Sequence, residues 1–257
     1  MNRGEMVNFD VSNLRRMTKM LAPAADFDSY FTFYYDETNN IRKFYVRKID
    51  FNSYFNSNFV LGGLVYQRSS PNIKLLFDRL NLQKNITEVK LKHIAKGEFI
   101  DCLKSEKLNC FLKYLLDNDL YIHYSSLNIL YWSIVDIVDS AIVNSEVAMQ
   151  LDLNFANYLK NDLYKLAKLE IESVVELFYN FDYPNIKQKL VLEFIEELTL
   201  IFDEYIDTQE FHFGLECLRQ LLKEAKKEKK NALPFIMDEQ DHILIENFSQ
   251  FYLRPIY

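Results

Sequence analysis

Glycine and proline are scarce, five of each in 257 residues. So few chain breakers leave room for few turns and imply long helices, above all in the second half. Cysteine is scarce as well. Cys102, Cys110 and Cys217 form no Cys-x-x-Cys pair and fit no zinc spacing, and three is too few for a disulfide framework. They read as reduced core thiols of a cytosolic protein. Positive charge is in deficit: 30 Lys and Arg stand against 37 Asp and Glu, a net charge of −7. A broadly basic nucleic-acid coat is thereby excluded, and any such contact must come from local patches. No stretch approaches the roughly 20 apolar residues of a membrane span. The start, Met1-Asn-Arg-Gly-Glu-Met, lacks the apolar core of a signal peptide. The expectation is a soluble, cytoplasmic protein without a membrane partner. What the chain does have is 49% apolar and 15% aromatic residues, enough for one large core or a core with an inserted subdomain.

The most informative stretch is Phe31-Thr-Phe-Tyr-Tyr-Asp36-Glu37-Thr38-Asn39-Asn40. Aromatic and β-branched residues favour a pleated strand, and Asn supplies turn chemistry. The strand should end at Asp36, with its carboxylate held at the strand edge. Taken alone, these ten residues also fit a hairpin with a solvated acid.

Residues 1–25 read as an N-terminal arm. Strands are expected at 29–36, 41–48 and 58–67, with Asn39-Asn40 as a tight hairpin turn between the first two. In the second strand Phe44 and Val46 fall on one face, and Lys43, Tyr45 and Arg47 on the other. Gly62-Gly63 inside the third strand suggests a bulge or a close approach. An opening meander of three antiparallel strands is the simplest topology. A helix follows Pro71 and another starts at Ser105, with a fourth strand over 119–127. From Ile129 the pattern is helical, with further helices over 145–179, 186–201 and 211–225 and a break at Asp182-Tyr-Pro184. A short apolar run then delivers a second acidic pair, Asp238-Glu239. Residues 243–252 are amphipathic and read as a helix, and the native chain is expected to run on beyond Tyr257.

Two Asp-Glu pairs more than 200 positions apart suggest one site built from distant segments. Asp36, Glu88 and Asp238 are the candidate metal ligands. Three carboxylates close together raise one another's pKa, and a divalent cation such as Mg²⁺ or Mn²⁺ resolves the repulsion. Two such ions would stabilise both the attacking and the leaving oxygen of a phosphodiester. Glu37 accompanies Asp36, and Lys90 could hold the scissile phosphate or the water. Glu239, Asp136, Asp139 and His93 form a second tier: Asp136 and Asp139 share a helix face, and His93 lies beside Glu88-x-Lys90. Arg42, Lys43, Arg47, Lys48, Lys92 and Lys96 cluster in sequence around these acids and could steer a phosphate backbone. Asp241 and His242 read as a surface turn, and His123 and His212 as structural.

The order strand–Asp36-Glu37–polar turn, then Phe59-Val-Leu-Gly-Gly-Leu-Val65, then Glu88-Val-Lys90, resembles the bacterial domain-of-unknown-function family 3800. Members of that family open with Asp-Glu-Ser-Gly, where this chain has Asp36-Glu37-Thr38-Asn39. The Tyr131-Trp132 helix and the segment before Asp238 are similar to its later elements. The resemblance implies an α/β (α+β) chain with a ribonuclease H-like mixed sheet of about five strands, ordered around a central first strand that carries Asp36. Core parts would be 26–144 and 231–257, and 145–230 a helical insertion. It further implies a two-metal nuclease acting on RNA or DNA, linked to phage defence or a toxin system. The last helical acid of such sites has no counterpart here. The alternative is a non-catalytic module of the same fold that binds a partner protein, or a second copy, through its long helices.

Overall fold

The aromatic and β-branched runs of the first third form strands in the computed structural model, which describes residues 12–24, 29–67, 71–82, 86, 88–150, 153–208, 210–236, 240–246 and 248. The strands are β1 (Thr32–Thr38), β2 (Phe44–Tyr45), β3 (Asn58–Tyr66), β4 (Tyr121–Asn128) and β5 (Ile243–Ile245). The helices are α1 (Ser12–Leu21), α2 (Ile73–Leu80), α3 (Leu91–Ile94), α4 (Phe99–Leu103), α5 (Glu106–Asp117), α6 (Ile129–Val143), α7 (Leu153–Leu169), α8 (Ile171–Asn180), α9 (Val191–Asp203) and α10 (His212–Ala225). The chain is thus mixed α/β, with small antiparallel sheets.

Contacts divide it into two units, Met1–Tyr34 with Gly63–His123 and Tyr35–Gly62 with Tyr124–Tyr257. The first unit has a small core of Tyr66, Leu76, Leu80, Tyr114, Leu115 and Leu120. Its helices α2 and α5 start at side-chain caps. The Asn72 side chain accepts from the Lys74 N–H, and Ser105 accepts from the Leu108 N–H. Asn81, at φ +43°, ends α2 in the left-handed conformation that Asn tolerates.

The second unit is built on α6. Ile129, Leu130, Ile134, Ile137, Val138 and Ala141 are all buried. A helix so apolar over most of its circumference belongs inside a core. The helices over 145–230 share this core with α6 and with Phe44, Val46, Phe51, Phe59 and Leu61. Two of its polar groups are bonded inside it: Ser133 Oγ donates to the Ile129 carbonyl at 2.7 Å, and the Tyr183 hydroxyl to the Ser133 carbonyl at 2.6 Å.

Three expectations change. The five strands fall, among the described residues, into a sheet ordered β1-β3-β4 and a two-stranded sheet of β2 with β5. β3 is therefore the middle strand of the three, and β1 lies at the edge. Second, the chain does turn at Asn39, φ +60°, but no β1–β2 hairpin follows. Arg42, φ +63°, turns the chain again. Phe44 and Val46, 0% and 2% exposed, then bury in the second core, and β2 pairs antiparallel with β5. The pull is apolar burial, worth about 1.5–3 kcal/mol per large side chain. Third, Ile243–Ile245 is a strand and not the start of a helix, because pairing with β2 uses its backbone groups.

Candidate functional site

β1 runs on to Thr38, past the end expected at Asp36, and Asp36 sits where the alternation of the strand puts it. Phe33 and Tyr35 are half-buried, while Thr32, Tyr34 and Asp36 are exposed. The Asp36 Oδ1 accepts the Glu37 N–H at 2.9 Å. Glu37 accepts from Asn40 Nδ2 at 2.8 Å, and Asn40 Oδ1 accepts from the Arg42 N–H at 2.8 Å. A second set of asparagines ties the strand ends together. Asn39 Nδ2 donates to the Asn58 carbonyl at 2.9 Å, Asn58 Nδ2 to Ser126 Oγ at 3.1 Å, and Asn128 Nδ2 to Asn58 Oδ1 at 3.0 Å. Asn128 Oδ1 also accepts from the Tyr131 N–H at 3.0 Å and so caps α6. These bonds form a polar frame that ties the ends of β1, β3 and β4. Asn58 and Asn128 were not legible as part of this frame. The available signal was Asn128 immediately ahead of an apolar helical run.

The neighbouring tyrosines hold their protons tightly. A hydrogen bond with Tyr66 pushes the Tyr34 hydroxyl pKa up, and burial does the same for Tyr35. The Tyr34 and Tyr66 rings are stacked with centroids 6.0 Å apart.

The other acids are distributed as follows. Glu88 is exposed and pairs with Lys90 at 3.1 Å, and the Lys90 N–H donates to His93 Nδ1 at 3.1 Å. This local knot, with exposed Lys92 and Lys96, belongs to the first unit, whereas Asp36 belongs to the second. Asp238 and Glu239 lie outside the described residues. Asp136 is exposed on α6. Asp139, which shares its face, pairs with Lys160 of α7 at 2.7 Å and serves helix packing. Among the described residues no group of three or more His, Cys, Asp or Glu is arranged to hold a metal ion.

The basic residues of the second unit are presented by a hairpin. The Arg47 N–H donates to the Asp50 carbonyl at 2.6 Å, and Val46 bridges to Phe51. Asn52 does a partner strand's work, since its side chain accepts from the Tyr45 N–H at 2.8 Å and donates to the Lys43 carbonyl at 2.9 Å. Phe44 and Val46 point into the core, and Lys43 and Arg47 are exposed, as their alternation predicts.

Among the described residues no helix is long and apolar enough to cross a membrane. Comparison with protein-family models, with curated proteins and with solved structures finds no match.

Proposed function

We propose that this chain is a divalent-metal-dependent nuclease that cleaves RNA or DNA phosphodiesters, with Asp36 as the first metal ligand. The observation that supports it most is the placement of Asp36: an exposed carboxylate near the end of β1, bonded through one oxygen to the next backbone N–H, on a strand whose end Asn39 ties to Asn58 of β3. A rigid element is where a site needs its carboxylates. Asp238, with Glu37 beside Asp36, would supply further donors for Mg²⁺ or Mn²⁺. When bound, the metal supplies Lewis-acid stabilisation of the phosphodiester and a nucleophilic water. Lys43, Arg47 and their neighbours attract the phosphate backbone in an otherwise acidic chain. The motif order Asp36-Glu37, Phe59–Val65, Glu88-x-Lys90 supports a ribonuclease H-like arrangement and a role as effector of a phage-defence or toxin system.

The test is cleavage of labelled RNA and DNA with Mg²⁺ or Mn²⁺, with chelator as control. Wild type should cleave only with metal, and Asp36→Asn should abolish cleavage while circular dichroism and melting stay unchanged. Full cleavage by Asp36→Asn removes Asp36 from the site. A wild type that cleaves neither polymer leaves the non-catalytic interaction module.

A further inference from the structure

The basic hairpin has a second property: it walls a cleft. A cleft of about 510 Å³ is lined by Lys43, Tyr45, Arg47 and Lys48 together with Tyr179 and His242. This is within the usual size of ligand sites, about 300–1,000 Å³. The wall is rigid, because Phe44, Val46 and Phe51 beneath it are 0%, 2% and 5% exposed.

Its chemistry is cationic and aromatic together. Lys43 stands 4.0 Å from Glu246 and Arg47 3.9 Å from Asp50, both loose, exposed pairs. Pairs of this kind are worth about 0–1 kcal/mol, so an incoming phosphate displaces them readily. Arg47 lies over the Tyr45 ring at 5.7 Å. In the same lining the Tyr179 and His242 rings stack, centroids 4.8 Å apart and planes 8° apart. Asp241 is the acidic residue of the lining, and it accepts a hydrogen bond from Asn185 at 2.8 Å.

His242 is held in an unusual state. Its φ is +65°, its carbonyl accepts the Val46 N–H at 2.9 Å, and its Nδ1 is buried without a hydrogen-bond partner among the described residues. A non-glycine residue kept in the left-handed region is a recurrent mark of a binding site. Arg47 also lines a neighbouring cleft of about 490 Å³ that contains Tyr54, 67% exposed. Two clefts sharing one arginine suit a chain of nucleotides better than a single one.

We propose that this hairpin cleft binds single-stranded nucleic acid, with phosphates on Lys43, Arg47 and Lys48 and unpaired bases against Tyr45 and the Tyr179–His242 stack. A duplex hides its base faces, whereas aromatic side chains beside a cationic groove are the usual platform for a single strand. The proposal rests on the nuclease reading for its choice of polymer and narrows that polymer to single strands.

The experiment is fluorescence anisotropy of the full chain with labelled oligothymidylate and oligouridylate, and with a duplex, all in chelator so that cleavage is silent. Wild type should bind a single strand more tightly than the duplex. The triple variant Lys43→Ala, Arg47→Ala, Lys48→Ala should lose roughly tenfold or more, and its salt slope should fall by about 2, three phosphates at about 0.7 each. Tyr45→Leu and Tyr179→Leu, which keep apolar bulk, should each weaken binding about tenfold. Arg47→Glu, at an exposed position, guards against misfolding of the ring variants and should also abolish binding.

Equal or tighter duplex binding, wild-type affinity in the triple variant, or unchanged affinity in both ring variants overturns the proposal. So does displacement of the oligonucleotide by AMP or UMP at equal affinity, which would make the ligand a free nucleotide. Loss of this site leaves metal-dependent cleavage by Asp36 open. Cleavage retained by Asp36→Asn leaves the binding result intact.

Discussion

Gly214 shows how much a single residue can decide. It lies in the first turn of α10, where a Cβ would overlap the buried Asp162 carboxylate of α7 and come within 3.0 Å of Tyr158 Cε1. Glycine in a helix ordinarily costs about 0.5–1 kcal/mol relative to alanine. Overpacking a filled core costs about 1–3 kcal/mol, so the overlap should win. Gly214→Ala is expected to lower the urea midpoint at unchanged slope, and a higher midpoint would show that α10 can shift at no cost. Nothing in the sequence announces this contact, because Gly214 and Asp162 meet only once α7 and α10 pack. The same limit applies to Asp139. Its shared face with Asp136 was legible from their i, i+3 spacing. Its ion pair with Lys160 depends on which helix lies alongside.

At the scale of elements, starts and faces were legible, and strand partners were not. Ser105 before α5 and the alternation of Phe44 and Val46 against Lys43 and Arg47 are local signals, set by side-chain direction and cap chemistry. The hairpin expected at Asn39-Asn40 failed because a turn residue fixes the bend and not the strand that follows. Asn128 tests the polar frame at the strand ends. It caps α6 through the Tyr131 N–H and holds Asn58 through its amide. Asn128→Ala should destabilise by about 1–2 kcal/mol through the lost cap. Asn128→Asp keeps the cap but not the donation to Asn58, and should fall between. Equal stability of all three in denaturant would mean that the frame contributes nothing.

For the whole molecule, two carboxylates give opposite signs of pH dependence. Burial of Asp162, 2% exposed, pushes its pKa up, with Lys165 acting against the rise. The native state then holds that proton more tightly than the unfolded chain, so stability rises as pH falls through the raised value. The Gln220 hydrogen bond, helped by Arg219, holds Glu216 below the ordinary carboxylate range. Its contribution is present above the unfolded pKa and is lost as pH falls through the lowered one. Melting temperature should therefore climb on mild acidification and drop only in stronger acid. Asp162→Asn should be more stable than wild type at neutral pH, and its profile should lack the climb. An identical profile in the variant would remove Asp162 as the cause.

By itself the sequence determined the local features: few breakers and hence long helices, the exposed carboxylate near the end of β1, and the alternation of exposed Lys43 and Arg47 with buried Phe44 and Val46. These follow from propensities and side-chain periodicity, which act over a few residues. The tertiary structure decided the rest. It took β2 away from β1 to pair with β5, and it brought Tyr179 and His242 beside the basic hairpin. It also joined Asn58, the first residue of the third strand, to Asn39, Ser126 and Asn128 in one frame at the strand ends. Those contacts join segments distant in sequence, and they form because burying Phe44, Val46 and the apolar faces of the helices in one core outweighs any local preference.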